Sequence, residues 1–364
     1  MSDARIEKIA VRAYRVPTDR PESDGTFEWE STTLVVVHAY GGGAWGLGFT
    51  YADLATATLI DRTLAAVVCG GDLLSPSAAW LAMVHAIRNL GRPGIASMAI
   101  SAIDNALWDL KARYLDQSVA QLLGAARPSV PAYGSGGFTS YTVDELSEQL
   151  GGWAADGFTM VKMKVGRDAH ADVERVRAAR AAIGPQVELF VDANGAYGRT
   201  QALAQAERFA EHGVTWFEEP RPSDDLVGLR LIRDRAPAGM VIAAGEYGYE
   251  PSYFDRMVGA GAVDTLQADA TRCEGITGLL VVGALCETRG IPLSAHCAPS
   301  LHVHPFCALG SAVHVEYFHD HARIEQLLFD GSATAVRGAL VPDLSRPGFG
   351  LSLKAGDAER YAIA

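Results

Sequence analysis

Three carboxylates and two lysines, each at or near the end of a short apolar run, mark the stretch from Lys162 to Glu246. Residues 160–166 carry Lys162 and Lys164, residues 189–195 carry Asp192, residues 215–220 carry Glu218, and residues 241–246 end at Glu246. Three carboxylates brought together without a cation repel one another. A hard divalent cation removes that repulsion, and an all-oxygen ligand set suits Mg²⁺ best. Lys162 and Lys164 stand one residue apart and so point the same way on a strand. Beside a second lysine and a divalent cation, an ammonium pKa is expected to fall, which makes the lysine usable as a base.

Two later runs, 263–269 and 291–296, end in Asp269 and His296. On adjacent strand ends the carboxylate would reach the imidazole, fix its tautomer and raise its pKa. The histidine would then face Lys164 across the metal. Two proton-transfer groups on opposite sides of one carbon suit chemistry next to a carboxylate. One removes the α-proton, the metal holds the enediolate, and the other returns a proton or protonates a leaving group. Glu316 ends a further run, 312–316, and either donates to a substrate oxygen when protonated or pairs with a cation.

These groups need a scaffold that presents strand ends to one mouth. The runs recur every ~25–30 residues, the spacing of βα units, which predicts an α/β fold with a (β/α)₈-type barrel. Its first strand is residues 130–137, and its sixth, seventh and eighth are the three runs ending in Asp269, His296 and Glu316. Before it, residues 6–17, 31–40 and 45–51 read as an antiparallel meander, and 55–68, 77–89 and 97–114 as helices. In the third helix Ile100, Ile103, Leu107, Trp108 and Leu110 form a wide buried face. The expected organisation is an α+β capping domain over 1–125, a modified barrel over 126–330, and a tail over 331–364 that packs back on the cap. Residues 18–29 are polar, hold Pro and Gly, and read as a long loop of the kind that forms lids.

Composition bounds the rest. Of 364 residues, 49% are hydrophobic and 20% charged, an ordinary globular balance. No apolar run is long enough to span a membrane, and the stretch from Met1 to Lys8 lacks the apolar core of a secretion signal. Five cysteines with no CxxC pair indicate reduced thiols and a cytoplasmic setting. A net charge of -12 argues against nucleic acid as a partner.

Taken together, these residues resemble the enolase superfamily, specifically its mandelate racemase group, over nearly the whole chain. Lys162-Met163-Lys164 is similar to the group's KxK, in which the second lysine is the base. The use of a Lys or His base with Mg²⁺ is a general property of such sites. By the resemblance, Asp192, Glu218 and Glu246 are metal ligands, Asp269 and His296 a catalytic dyad, and Glu316 a hydrogen-bond partner of the substrate carboxylate. Asn194, in an Asp-x-Asn pattern, would support the metal or the substrate. The muconate-cycloisomerase group would carry a lysine where this chain has Asp269, which favours the mandelate racemase group. Glu274 departs from the Gly-Gly often found there. The resemblance also implies an oligomer of identical chains.

In such a family the cap loop closes over the substrate. Here its residues are mostly hydrogen-bonding, Asp24 and Trp29 among them, which fits a polyhydroxy acid better than an apolar aromatic one. Tyr133, Tyr141, Tyr247, Arg272, His302 and His304 are further polar candidates near strand ends. The expected activity is Mg²⁺-dependent dehydration of an acid sugar. A racemase or epimerase would use the same two bases with no leaving group. A barrel that binds metal without catalysis is a third reading, opposed by the intact set of charged residues. A metal-dependent hydrolase would more often use histidine-rich ligation.

Overall fold

A computed structural model describes residues 4–363. Met1–Asp3, where the secretion-signal reading begins, and Ala364 lie outside the described residues. Strands β1 (Ile6–Ser23), β2 (Glu28–Gly41) and β3 (Ala44–Tyr51) form an antiparallel sheet in chain order. The β2–β3 turn is Gly42-Gly43, with φ of 59° and 77°. Two successive positive φ values define the hairpin turn whose twist matches its strands, and glycine adopts them without strain. Alternation along β2 buries both faces. Val35, Val37 and Ala39 join the cap core, while Leu34 and Val36 join the core continuous with the barrel.

The predicted cap helices are present with shifted ends. A π-turn at Ile60–Leu64 interrupts the first, and the other two are Pro76–Ala86 and Ile95–Tyr114. The third helix lies almost directly on β3. A Cβ at Gly46 would meet the Ala106 carbonyl at 2.2 Å, and one at Gly48 would meet the Ala106 nitrogen at 2.3 Å. Only glycine on the strand, opposite alanine on the helix, permits this approach.

The same helix binds the barrel through its other face. Ser101 and Asn105 accept from the amides of Gly275 and Ile276, both at 3.1 Å. Asp104 accepts from the Thr277 amide at 2.8 Å and its hydroxyl at 2.6 Å. These amides open the helix Gly275–Arg289, whose first N–H groups have no partner within the helix. The cap therefore supplies the helix cap. Burial raises the Asp104 carboxyl to about 7, against the opposing pull of the Thr277 bonds.

Eight parallel strands follow: β4 (Val130–Gly136), β5 (Met160–Lys164), β6 (Glu188–Asp192), β7 (Val214–Glu218), β8 (Val241–Ala244), β9 (Thr265–Ala268), β10 (Leu293–Ala295) and β11 (Ala312–Phe318). Neighbours pair in sequence order, and β11 returns to β4 with Glu316 opposite Tyr133, closing the barrel. Tyr133, Phe190, Trp216 and His314 stack edge and face at centroid distances of 5.0–5.8 Å and fill its interior below the mouth. After the barrel, Ala339–Leu340 adds antiparallel to β4. Further on, Phe349 donates its amide to Asp109 on the third cap helix, and Ile363 donates to the Ala13 carbonyl on β1.

The stretch expected as a loop over 18–29 is mostly strand. β1 runs to Ser23 and β2 starts at Glu28, with Glu22 opposite Trp29 and Ser23 opposite Glu28 across an irregular register. The hairpin's polar alternation hides its strands from a pattern reading because it docks on the barrel rather than on an apolar core. Ser140 donates to the Pro21 carbonyl, Thr139 to the Asp24 carbonyl, and the Thr139 amide to the Ser23 carbonyl. Its tip is Asp24-Gly25-Thr26-Phe27, tied by three bonds to Asp24 Oδ1. A Cβ at Gly25 would meet the carbonyls of Val165 and Ala193 at 2.7 Å each, so the tip rests on the strand ends of the barrel.

Candidate active site

Parallel register sets the first half of the site. Lys164 lies opposite Asp192, and Asp192 opposite Glu218. Glu246 follows β8 by two residues, Asp269 and His296 each follow their strand by one, and Glu316 lies within β11. Asp192, Glu218 and Glu246 each offer an oxygen within 4.8 Å of the others, all three buried. Glu246 Oε2 is buried without a hydrogen bond. Three buried oxygen donors, one of them unsatisfied, fit a hard divalent cation.

The two lysines interleave with these acids. Lys162 Nζ is 2.6 Å from Glu218 and 2.8 Å from Glu316, and Lys164 Nζ is 2.5 Å from Asp192. Burial works against both ammonium ions. Glu218 and Glu316 outweigh it at Lys162, and Asp192 does so at Lys164, so both are held above the usual lysine range. Lys162 does lower Lys164, but the carboxylates outweigh it, so the second lysine alone does not give the expected net lowering. That lowering requires a dication on the same carboxylates, which acts in the opposite sense. Burial, then the like charge of Asp192, pushes Glu218 well above the usual carboxylate range.

Across the mouth, His296 Nδ1 donates to Asp269 Oδ2 at 2.8 Å. Asp269 also accepts from the Thr271 amide. Against burial, His296 and His302 hold its carboxyl well below the usual range. His296 Nε2 points to the acids, 3.3 Å from Glu246 and 3.8 Å from Glu316. Glu316 accepts from Ser135 at 2.6 Å and from the Cys297 amide at 3.0 Å, besides pairing with Lys162. Burial opposes its charge, but Lys162 and His296 keep it well below the usual range, so it acts here as an acceptor.

A cavity of about 480 Å³ joins Lys164 to His296. Asn194, Arg272, Asp24 and Trp29 line it, with Tyr247 from the polar candidates. Arg272 donates to the Glu246 carbonyl at 3.0 Å and lies over the Tyr247 ring. Two substrate-binding expectations are corrected. Tyr133 is fully buried below Lys162, its ring 5.3 Å from that Nζ, and does not reach the cavity. His302 is also fully buried. It accepts from the Ala270 amide and donates to the Cys297 carbonyl, which uses both ring nitrogens on backbone. His304 likewise accepts from the Ala120 amide, and Tyr141 packs on Phe138.

The cavity also holds residues with no signal in the sequence pattern. Thr33, Tyr51 and Asp53 enter from the rim of the cap sheet, and His321 from the helix after β11, its ring stacked on Tyr51 at 3.4 Å. Cys297 directly follows the catalytic-type histidine. With φ of 53°, it turns the chain so that its Sγ sits 3.2 Å from His296 Nε2. Glu219 is buried beside Glu218 at φ 39° with an unbonded oxygen. The Glu274 departure has a local cause: its buried carboxylate pairs in two bonds with Arg92 of the cap.

Comparison with known proteins agrees with this geometry. Residues 8–124 match the mandelate racemase/muconate lactonizing enzyme N-terminal domain, and residues 145–358 match the enolase C-terminal domain-like model. The chain is 33% identical to 3,6-anhydro-α-L-galactonate cycloisomerase of Streptomyces coelicolor, over 98% of this chain and 99% of that one. A mandelate racemase/muconate lactonizing enzyme-like protein from Rubrobacter xylanophilus superposes with a TM-score of 0.97 at 56% identity, covering 99% of this chain and 100% of that one. L-Talarate dehydratase from Polaromonas sp., complexed with Mg and L-glucarate, superposes with a TM-score of 0.89 at 30% identity, covering 99% and 98%. With both halves matched and the full length shared, the chain belongs to the mandelate racemase/muconate lactonizing enzyme family of the enolase superfamily.

Proposed function

We propose that this chain is a Mg²⁺-dependent acid-sugar dehydratase. The observation that carries the reading is the pair Lys164 and His296 facing one cavity from opposite sides of three buried carboxylates. Asp192, Glu218 and Glu246 would hold the ion. When bound, it supplies positive charge that stabilises the carboxylate of the substrate as its α-proton leaves. Lys164 Nζ takes that proton, and Lys162 balances the charge of Glu218 and Glu316 beneath it. His296, kept in one tautomer and stabilised as imidazolium by Asp269, protonates the departing β-hydroxyl from Nε2. Water leaves, and the enol tautomerises to a 2-keto-3-deoxy acid. Asn194, Arg272 and the hairpin residues Asp24 and Trp29 offer polar contacts for a polyhydroxy chain.

A second reading rests on the near full-length similarity to a cycloisomerase. If the β-oxygen is a ring ether, the same proton transfers open the ring, and the product is an isomer.

The test is a library of aldonic, aldaric and anhydro-sugar acids incubated with Mg²⁺, with 2-keto acid read by semicarbazide and α-proton exchange in D₂O by NMR. Keto acid with loss of water is expected from one open-chain acid. Lys164→Ala is expected to abolish both signals. His296→Asn is expected to abolish keto acid while retaining exchange. Near-normal turnover in either variant removes that residue from the mechanism. Exchange without keto acid in the wild type replaces dehydration by racemisation or epimerisation.

A further inference from the structure

A second set of metal-ligating side chains lies outside the catalytic cavity. Asp19 and Glu22 stand on β1, and His319 opens the helix His319–Leu328 directly after β11. Each offers one ligand atom within 4.8 Å of the others. His319 Nε2 is 3.0 Å from Asp19 Oδ2. Glu22 is fully buried. Its Oε2 accepts from Trp29 Nε1 at 2.8 Å, and its Oε1 has no hydrogen-bond partner. A buried carboxyl with an unsatisfied oxygen is costly unless a cation or donor meets it or it keeps its proton. Burial, then the charge of Asp320, raises Glu22 to about 9, so an ion bound here displaces that proton. Of the neighbouring guanidinium groups, Arg323 hydrogen-bonds Asp320 and the Pro17 carbonyl and acts on Glu22 through its charge, and Arg20 pairs with Glu145. Asp19 and His319 are partly exposed and border a cavity of about 230 Å³, which gives an ion a way in.

We propose that Asp19, Glu22 and His319 form a second metal site, selective for a transition-metal dication such as Zn²⁺, that clasps the β1–β2 hairpin to the barrel. One imidazole with two carboxylates is a donor set that Zn²⁺ accepts with an open position for water. The imidazole sets it apart from the all-carboxylate catalytic site, which suits Mg²⁺. The link to function runs through Glu22, because the Trp29 that it holds lines the catalytic cavity. An ion on Glu22 would fix the hairpin that covers the site. The proposal does not depend on which reaction the catalytic site performs.

The experiment is equilibrium dialysis of the full chain, saturated with Mg²⁺, against Zn²⁺, with bound metal measured by elemental analysis. The wild type is expected to hold one Zn²⁺ more than His319→Gln, with binding at this site at least tenfold weaker in the variant. Zn²⁺ taken up at the catalytic carboxylates, or beside His296 and Cys297, is common to both proteins and cancels. Asp19→Asn, at a partly exposed position, is a second variant with the same expected loss, should His319→Gln fold poorly. Equal Zn²⁺ stoichiometry and affinity in wild type and variants would overturn the site. Amide exchange at Phe27 and Trp29 is expected to slow on adding Zn²⁺ to the wild type alone. Binding with no such slowing would overturn the clasp.

Discussion

Asp104→Asn should change how the stability of the chain depends on pH. The Asp104 carboxyl is fully buried between cap and barrel, and burial raises it from the ordinary 3.8 to about 7. The folded chain then holds this proton more tightly than the unfolded chain. Its contribution is full below the unfolded value and is lost as pH rises through the folded one. A shift of about three units corresponds to about 4 kcal/mol at 1.36 kcal/mol per unit. Between pH 4.5 and 8 about 3 kcal/mol of this is lost. A chain of this length has an unfolding entropy near 0.8 kcal/mol/K, so the loss equals about 4 °C in Tm. Asparagine keeps an acceptor for Thr277 but does not titrate, so the Tm of the wild type should fall by about 4 °C relative to the variant between those pH values. Asp104→Ala, which lacks the acceptor for both Thr277 bonds, is expected to lie about 2–4 kcal/mol below the asparagine variant at either pH. Scanning calorimetry on the three proteins checks this. Parallel pH dependence in wild type and Asp104→Asn would refute the assignment of a buried, proton-holding carboxyl to the cap–barrel joint.

Gly25→Leu should raise KM by about tenfold or more with little change in Tm, since the side chain would strike the Val165 and Ala193 carbonyls and lift a tip whose Thr26 and Phe27 already face solvent. Steady-state kinetics on the acid found by the library screen would show it, and an unchanged KM would mean that the tip does not close on the substrate. Removing Mg²⁺ with EDTA should abolish turnover. Restoring it to a hundredfold excess over Kd should add about 2.7 kcal/mol of stability, an effect that Asp192→Asn should lose. In native protein only the exposed Cys69 should react with a thiol reagent. Cys273, Cys286, Cys297 and Cys307 are buried, and burial raises each thiol. One equivalent per native chain and five after unfolding is the expected titration, and rapid reaction at Cys297 would contradict its enclosure beside His296.

Much of the placement of the candidate site's residues was legible in the residue pattern, because a barrel strand is a local object. Its apolar run, its charged end and its ~25–30-residue period all lie within short windows, and parallel pairing then places successive strand ends side by side. Lys164, Asp192 and Glu218 could be placed together on that ground, and His296 with Asp269 on adjacent ends. What tertiary structure alone decided concerns faces and partners. By sequence Tyr133 and His302 read as polar candidates near strand ends as Arg272 does, yet the first lies in the middle of β4 and fills the barrel interior, and the second lies in the helix Pro299–Ala308 and binds backbone. Nothing in their spacing separates a side chain that faces the mouth from one that faces the core. The hairpin over 18–29 hid its strands because its partners are Thr139 and Ser140, more than a hundred residues away. The direction of the lysine shift depended on distances to carboxylates on other strands. Periodicity records where a side chain lies on its own element. Which charge it meets across the fold is set by packing between elements, and that information is not local to any stretch of the chain.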